Sequence, residues 1–197
     1  EVVTSGQYGR VELARLWRRV IVPAGGWFLD GRISGGAILD LHIHDVDAAL
    51  WIFGAPAAMS AFGRKGPSGG YDQVEAVWHY GDDRLVVLEG LWFKSAPSAF
   101  EMGFDVAMEK ATVSYSTARK PDLQVNIPGQ EPIIPSLSSQ DGYWREIDCF
   151  VRAILNDRPI ERAAPESSRL SVALVESEIA SIESRGRIDI GPKKRTR

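Results

Sequence analysis

Residues 34–53 read SGGAILDLHIHDVDAALWIF, and the spacing of their side chains predicts the helix around which the chain is organised. Apolar side chains recur every three or four positions, as on the buried face of an α-helix. They are Leu39, Ile43, Val46, Leu50 and Phe53. A glycine and a proline follow at positions 54 and 56, as they commonly do where a helix ends. This stretch is therefore predicted to be a helix that packs on a core.

Polar side chains occupy a neighbouring face of the same predicted helix. Asp40, His44, Asp47 and Trp51 follow one another at intervals of four, three and four residues. On a helix, side chains three or four positions apart are neighbours, so His44 would have a carboxylate one turn away on each side. Gly35 and Gly36 come just before, where a tight turn or a close backbone contact would require glycine.

This arrangement favours a proton-transfer site, with one structural alternative. A carboxylate can fix the tautomer of an imidazole and stabilise its protonated form, while the other ring nitrogen exchanges a proton with a substrate. The alternative is an ordinary surface helix, on which such charge pairs add only a few tenths of a kcal/mol. Spacing alone does not decide between the two.

A metal site is a further alternative, because residues 40–45 read DLHIHD. This run resembles the Asp-x-His-x-His start of amidohydrolases and, less closely, the His-x-His-x-Asp-His run of metallo-β-lactamase-like enzymes. Both families need further histidines, and only His79 remains. On a helix, His42 and His44 would also point about 200° apart. Asp45 is a further residue of a type that binds metals. The two missing conditions nevertheless make a metal-dependent hydrolase the weaker hypothesis, and no metal site is predicted.

Composition limits the possible classes of function. Of the 197 residues, 44% are hydrophobic and 25% are charged, which is typical of a globular domain. The net charge of −3 gives no reason to expect nucleic acid or an anionic membrane as a partner, and no apolar run approaches the ~20 residues of a membrane span. A single cysteine excludes an internal disulfide and suits a cytoplasmic setting. No glycine-rich phosphate loop occurs, so the chain is not expected to form a dinucleotide site by itself.

The rest of the chain predicts an α+β fold: an open, largely antiparallel sheet with helices packed on one face, a two-layer sandwich. Strands are predicted at 73–80, 85–93, 101–108, 111–117 and 187–190, most of them as a meander, with an irregular segment at 118–138. Residues 10–22 are also predicted to be a strand, with a helix as the alternative. Helices are predicted at 141–156, capped by Asp141, and from Pro165 to Gly186. Residues 1–191 would form one domain, followed by a disordered basic tail at 192–197.

The aromatic content of the predicted strands suggests self-association. Trp78, Trp92 and Phe93 supply more apolar surface than one solvated sheet face should show. The open face is therefore expected to pair with another copy of the chain, as a homodimer or tetramer.

Residues 27–56, WFLDGRISGGAILDLHIHDVDAALWIFGAP, resemble the family of glucose–fructose oxidoreductase, inositol dehydrogenase and MocA-like proteins. The second domain of that family carries a Gly-Gly-Gly run, then Asp-x-x-x-His-x-x-Asp, an aromatic residue and Gly-x-Pro. Residues 143–160 and 166–190 are similar to its closing helix pair and last strand. The likeness extends over nearly the whole chain.

The resemblance implies a substrate-binding domain whose partner is its own N-terminal Rossmann domain, which binds NAD or NADP and is not part of this chain. The substrate would be a sugar, a polyol or an inositol. By position, His44 would be the acid/base, and Asp40 would orient it or bind a hydroxyl. The rival hypothesis is a degenerate member that binds a ligand or a partner without turnover.

The same resemblance implies the remaining site residues. Trp27, Asp47 and His42 would contribute to the substrate site, and Asp47 could equally serve helix packing. Gly35 and Gly36 would touch only the nicotinamide end of the cofactor. Ala37 replaces the usual third glycine, and His42 stands where the family usually has glycine, so its bulk is expected to narrow the pocket.

Overall fold

The computed structural model describes residues 2–22, 24–95, 100–160, 162 and 164–191. It is an α+β fold with one eight-stranded, largely antiparallel sheet, as predicted. The strands are β1 (Val11–Ile21), β2 (Ala58–Lys65), β3 (Tyr71–His79), β4 (Leu85–Phe93), β5 (Glu101–Met108), β6 (Ala111–Ser116), β7 (Leu123–Asn126) and β8 (Ile188–Asp189). The helices are α1 (Gly31–Ser34), α2 (Ile43–Phe53), α3 (Gly142–Leu155) and α4 (Pro165–Ser184). A 3₁₀ turn at Gly26–Leu29 and a π-helical turn at Ile38–His42 precede α1 and α2 respectively.

The sheet order is β7-β6-β5-β1-β4-β3-β2-β8, which corrects the predicted meander. The long first strand, β1, lies between β4 and β5, parallel to the former and antiparallel to the latter. Its alternating Ala14 and Leu16 are buried, and this apolar face explains its central position. Strands β2 and β7 were not predicted, and the segment expected to be irregular contains β7.

Helices α2 and α4 cover one face of the sheet, and the main core lies between these two layers. α2 contacts β1 and β4, α4 contacts β2, and the two helices contact each other. Val46 and Ala49 of α2 and Leu174 and Val175 of α4 are buried there. The catalytic candidate helix is therefore fixed on the middle of the sheet.

The open face of the sheet is more polar than the sequence suggested. Trp78 and Trp92 are fully buried on the helix-covered side, so the prediction that they enlarge the apolar open face is wrong. Successive strand residues point to opposite faces, and both tryptophans share the side of α2 and α4. The open side carries ion pairs of Arg15 and Arg19 with Glu89.

Helix α3 has the predicted bounds and cap, but it does not pack as predicted. Asp141 accepts a hydrogen bond from the backbone N–H of Trp144, as an N-cap does. No residue of α3 is buried, and its apolar side chains face outward. α4 ends as expected near Gly186, with Arg185 in the left-handed conformation. The predicted tail at 192–197 lies outside the described residues. No helix in the described part of the chain combines the length and apolar character needed to cross a membrane.

Candidate active site on helix α2

The glycine pair before α2 is held by the loop between β2 and β3. Gly35 and Gly36 have φ values of 76° and 78°, which side-chain-bearing residues rarely adopt. A Cβ on Gly36 would lie 3.0 Å from the backbone nitrogen of Tyr71, and one on Gly35 would lie 2.5 Å from the Leu39 side chain. This internal packing accounts for both glycines, and their contact with a nicotinamide stays a prediction.

The helical segment begins at Ala37, directly after the glycine pair, as the sequence predicted. The π-helical turn Ile38–His42 then leads directly into α2. π-Helical turns are rare and occur often at functional sites. Ile38, Leu41 and His42 are buried by this turn, while Asp40 stays half-buried. Within residues 40–45, the π-helical turn therefore places Leu41 and His42 in the core and leaves Asp40 partly accessible.

His44 is the exposed imidazole of the site. Its side chain has no hydrogen-bond partner among the described residues, so both ring nitrogens are available to a ligand. Desolvation by neighbouring atoms lowers the pKa of His44, Arg18 lowers it further, and Asp40 and Asp47 oppose this. The imidazole is therefore mainly neutral at pH 7, which is the state that accepts a proton.

The two flanking carboxylates differ in environment. Partial burial raises the pKa of Asp40, and the charge of His44 acts in the opposite direction. The Ser171 hydroxyl donates a hydrogen bond of 2.7 Å to Oδ1 of Asp47, which ties α2 to α4 and fits the predicted packing role. Trp27 lies in the 3₁₀ turn, 50% exposed and stacked on Phe28 with ring centroids 4.1 Å apart.

His42 does not have the predicted environment. It is fully buried, and its Nε2 donates to Oε2 of Glu178 over 2.9 Å. The Trp78 indole donates to the other oxygen of Glu178 over 2.8 Å. Burial lowers the pKa of His42, but the Glu178 carboxylate more than offsets this and raises it. Gly90 leaves the space that the ring occupies, since a Cβ there would lie 2.6 Å from the His42 Cβ.

This burial corrects two predictions about His42. The side chain points into the core, so it neither narrows a surface pocket nor reaches a substrate beside His44. The pattern of the helix could not show this, because Glu178 is 136 residues away in sequence. The substrate site proposed below therefore omits His42.

Two charged residues near His44 were not predicted as site residues. Nε of Arg18 on β1 donates to Oδ1 of Asp45 on α2 over 3.1 Å. Burial raises the pKa of Asp45 to about 6, although Arg18 and His42 act to lower it. A sequence signal existed, since Arg18 follows Ala14 and Leu16 in the inward register of β1, where an apolar residue is expected.

The acidic and histidine residues of the site do not form a metal cluster in this fold. Among the described residues, no group of three His, Cys, Asp or Glu side chains is placed to hold a metal ion.

The open, largely antiparallel sheet and the helix that carries Asp47 and His44 agree with the fold expected for the second domain of the family that the sequence resembles. The chain belongs to the GFO/IDH/MocA family: the model of that family's C-terminal domain matches residues 1–114.

Known relatives agree with this assignment. The chain is 40% identical over 63 residues to D-glucoside 3-dehydrogenase of Escherichia coli, a match that covers 30% of this chain and 18% of that protein. A solved structure of levoglucosan dehydrogenase with NADH and levoglucosan is similar with a TM-score of 0.79 at 16% identity, covering 95% of this chain. The WlbA dehydrogenase of Bordetella pertussis, with NADH and UDP-GlcNAcA, gives 0.78 at 18% identity and 98% coverage.

These structural likenesses are at low identity and establish the fold. The chain spans 60% of the levoglucosan dehydrogenase chain and 59% of the WlbA chain. About two fifths of each of those chains thus has no counterpart in this sequence.

Proposed function

We propose that residues 1–191 are the substrate-binding and proton-transferring C-terminal domain of an NAD(P)-dependent oxidoreductase in the cytoplasm. The substrate would be a sugar, a polyol or an inositol-like compound. The observation that carries the proposal is the exposed imidazole of His44, with a lowered pKa, one turn from the half-buried Asp40 on a glycine-led helix. Family membership and the sugar-dehydrogenase relatives support it.

In this proposal, His44 exchanges the proton of the reacting hydroxyl. Its neutral form accepts the proton when the alcohol is oxidised, and the imidazolium returns it when the carbonyl is reduced. Asp40 stabilises the imidazolium by charge and is placed to accept a hydrogen bond from a second hydroxyl. Trp27 would offer an apolar ring face to the sugar. A bound nicotinamide would supply or accept the hydride.

The described residues offer no cradle for the rest of a dinucleotide. The spaces beside Gly35 and Gly36 are filled by the chain itself, and the sequence has no phosphate-binding loop. The cofactor would therefore be bound by a separate N-terminal Rossmann domain. The outward apolar face of α3 supports such a neighbour, because a helix of that kind normally packs against another surface.

Replacement of His44 in the intact enzyme tests the proposal. We expect His44→Ala to lower turnover by ~100-fold or more, the usual contribution of a positioned acid/base. Asp40→Asn should cost less, because it disturbs orientation and charge without removing the proton carrier. Steady-state kinetics on a panel of sugars and polyols with NAD and NADP is the measurement.

His79→Ala is the matched control, because His79 is hydrogen-bonded to Ser60 on β2, away from α2. It should retain turnover. A folded His44→Ala enzyme with wild-type turnover would contradict the catalytic role. An intact wild-type protein without turnover on any substrate of the panel would instead favour the non-catalytic, ligand-binding alternative.

A further inference from the structure

Trp51 is a member of the exposed face of α2 that the proposed function does not use. His44, Asp47 and Trp51 are all exposed, and their spacing of three and four residues places them on one face of the helix. At about 1.5 Å per residue, Trp51 lies about 10 Å along the helix axis from His44. The Trp51 side chain is 73% exposed, so an indole face is available to a ligand on the same side of the helix as the imidazole.

An apolar pocket of about 410 Å³ lies at this end of α2. Trp51, Ile52 and Phe53 line it from the helix, and its walls are apolar apart from Thr4 and the exposed Arg162. The floor consists of side chains from four strands, namely Leu16, Phe104, Val106, Val113 and Leu123. Its size and apolar lining are those of a site for a small ligand or for part of one.

The pocket exists because the helices cover only part of the sheet. Helix α2 packs on β1 and β4, and α4 packs on β2. Among the described residues, no helix has more than a weak contact with β5, β6 or β7. The floor residues of these three strands belong to the same apolar face as the main core. The pocket is therefore an extension of that face beyond the edge of α2.

The surface of α2 connects His44 with this pocket. Side chains four residues apart form a ridge on a helix, and His44, Ala48 and Ile52 form such a ridge. Ile52 lines the pocket. Ala48 is half-buried, and its side chain adds only a methyl group to the ridge between the imidazole and Ile52. The imidazole and the pocket are thus separated by about 10–12 Å of helix surface that carries no bulky side chain on this ridge.

We propose that this pocket receives the aglycone of a glycoside: the substrate is a sugar that carries an apolar aryl or alkyl group, with its reacting hydroxyl at His44 and its apolar group against Trp51 and Ile52. The position of the sugar rests on the proposed function. A hexose ring and an attached phenyl ring together span the separation between His44 and the pocket. A diphosphate would lose its hydration against these walls, where Arg162 is the one cation among the described lining residues.

Matched methyl and phenyl β-D-hexopyranosides of the gluco, galacto and manno series test the inference in the intact enzyme. The measurement is kcat/KM with NAD and with NADP. For the sugar that is used best, we expect the phenyl glycoside to exceed the methyl glycoside by ~10-fold or more, because even one methylene in an apolar pocket is worth about that factor. Equal values for the two glycosides would overturn the inference.

Two substitutions assign the preference to this pocket. Trp51→Ala should lower the phenyl-to-methyl ratio of kcat/KM by about threefold or more, since it removes an aromatic contact. Ala48→Leu keeps a strong helix former and should lower the ratio by adding bulk between His44 and Ile52. Phe62→Ala is the matched control and should keep the ratio, because Phe62 is 71% exposed on the open face of the sheet. An equal loss for both glycosides in Trp51→Ala would instead assign the pocket to contact with another domain, and the inference would be wrong.

A binding measurement separates this inference from the proposed function, because it needs neither cofactor nor turnover. In proton–nitrogen NMR spectra of the 197-residue chain, phenyl β-D-hexopyranosides at millimolar concentration should shift the indole N–H signal of Trp51, and the methyl glycosides should shift it much less. The chain has six tryptophans, and Trp51→Phe assigns the signal. No shift with any phenyl glycoside would overturn the inference even if the intact enzyme oxidises simple sugars. A shift without turnover in the intact protein would support the pocket and contradict the proposed oxidoreductase activity.

Discussion

His42 and His44 are two residues apart and have opposite environments. His42 is fully buried against Glu178, while His44 is exposed on the far side of the same helix. A buried ion pair contributes little net stability relative to apolar residues, but loss of one partner leaves an uncompensated buried charge. The pair joins the π-helical turn before α2 to helix α4.

Asp45 gives a prediction about pH and stability. Its pKa is raised by burial from 3.8 to about 6. The folded state favours the neutral carboxyl of Asp45, so the stability that this group contributes is fully present below pH ~4 and is lost as the carboxyl ionises while pH rises through 6. Asp45→Asn has no such loss, so its unfolding free energy relative to the wild type should increase between pH 4.5 and 7.5, by up to roughly 2 kcal/mol.

Urea unfolding of both proteins across that pH range measures this difference. Asp82→Asn serves as the control, because the Asp82 carboxylate is exposed in a turn and its pKa is lowered by Arg84. A difference between Asp45→Asn and the wild type that stays constant with pH would show that Asp45 is not destabilised by ionisation.

The sequence was sufficient to group those site residues that are close to one another along the chain. Asp40, His44 and Asp47 could be grouped because helical spacing places them together. Arg18, Glu178 and Gly90 could not, since each meets the helix only through strand pairing or helix packing over long sequence separations. The burial of His42 depends on two of these three residues.

Helix α3 is the element whose packing is incomplete in this chain. Its exposed apolar side chains include Tyr143, Ile147, Phe150 and Ile154. They share one face of a helix that touches neither the sheet nor α2 to any great extent. Such a face favours contact with a surface outside the described residues.

We expect the double substitution Ile147→Lys and Phe150→Lys to leave the unfolding free energy of this chain within about 0.5 kcal/mol of the wild type, because no described core depends on these side chains. Leu174→Ala in α4 is the control, since Leu174 is fully buried and its truncation should cost about 2–5 kcal/mol. Thermal and urea unfolding provide both values. A comparable loss in the double variant would mean that α3 packs on this domain in solution.

The same helix shows what sequence patterns can predict about elements. Amphipathic spacing and Asp141 give the bounds of α3, but they do not say which surface its apolar face meets. Strands β4 and β5 have the predicted bounds, because alternation and turn residues are local signals. Their separation by β1 could not be predicted, since strand order depends on pairing between distant segments.

The whole molecule has a second uncovered surface, the open face of the sheet. Leu13 and Leu85 are register neighbours there and are both about two fifths exposed, and Phe62 is 71% exposed. The ion pairs of Arg15 and Arg19 with Glu89 lie on the same face. A mixed face of this kind is compatible with an interface between copies of the chain. Self-association thus remains a proposal on narrower grounds than the aromatic content suggested.

We expect the chain to form dimers or tetramers through this face, with an interface that buries over ~1,200 Å² in total. Phe62→Lys should shift the equilibrium toward monomer, whereas Phe150→Lys on α3 should not. Light scattering at high concentration measures both variants. A strict monomer would contradict the proposal, and dissociation by Phe150→Lys alone would assign the association to α3.

The proposal that a separate domain binds the cofactor leads to the last prediction: this chain folds alone but binds neither NAD nor NADP tightly. Folding should succeed because α2, α4 and the sheet share one contiguous core. Tight binding should fail because a pyrophosphate needs a cluster of backbone N–H donors, as at a glycine-rich loop before a helix. The glycine pair before α2, Gly35 and Gly36, is already packed against Leu39 and Tyr71. His44 can exchange a proton, but an alcohol–carbonyl interconversion also requires a hydride acceptor held against the substrate carbon.

Titration calorimetry with both dinucleotides is the measurement, and the intact enzyme is the positive control. Sub-micromolar binding by the 197-residue chain alone would show that its cofactor site lies among residues to which we assign only structural roles.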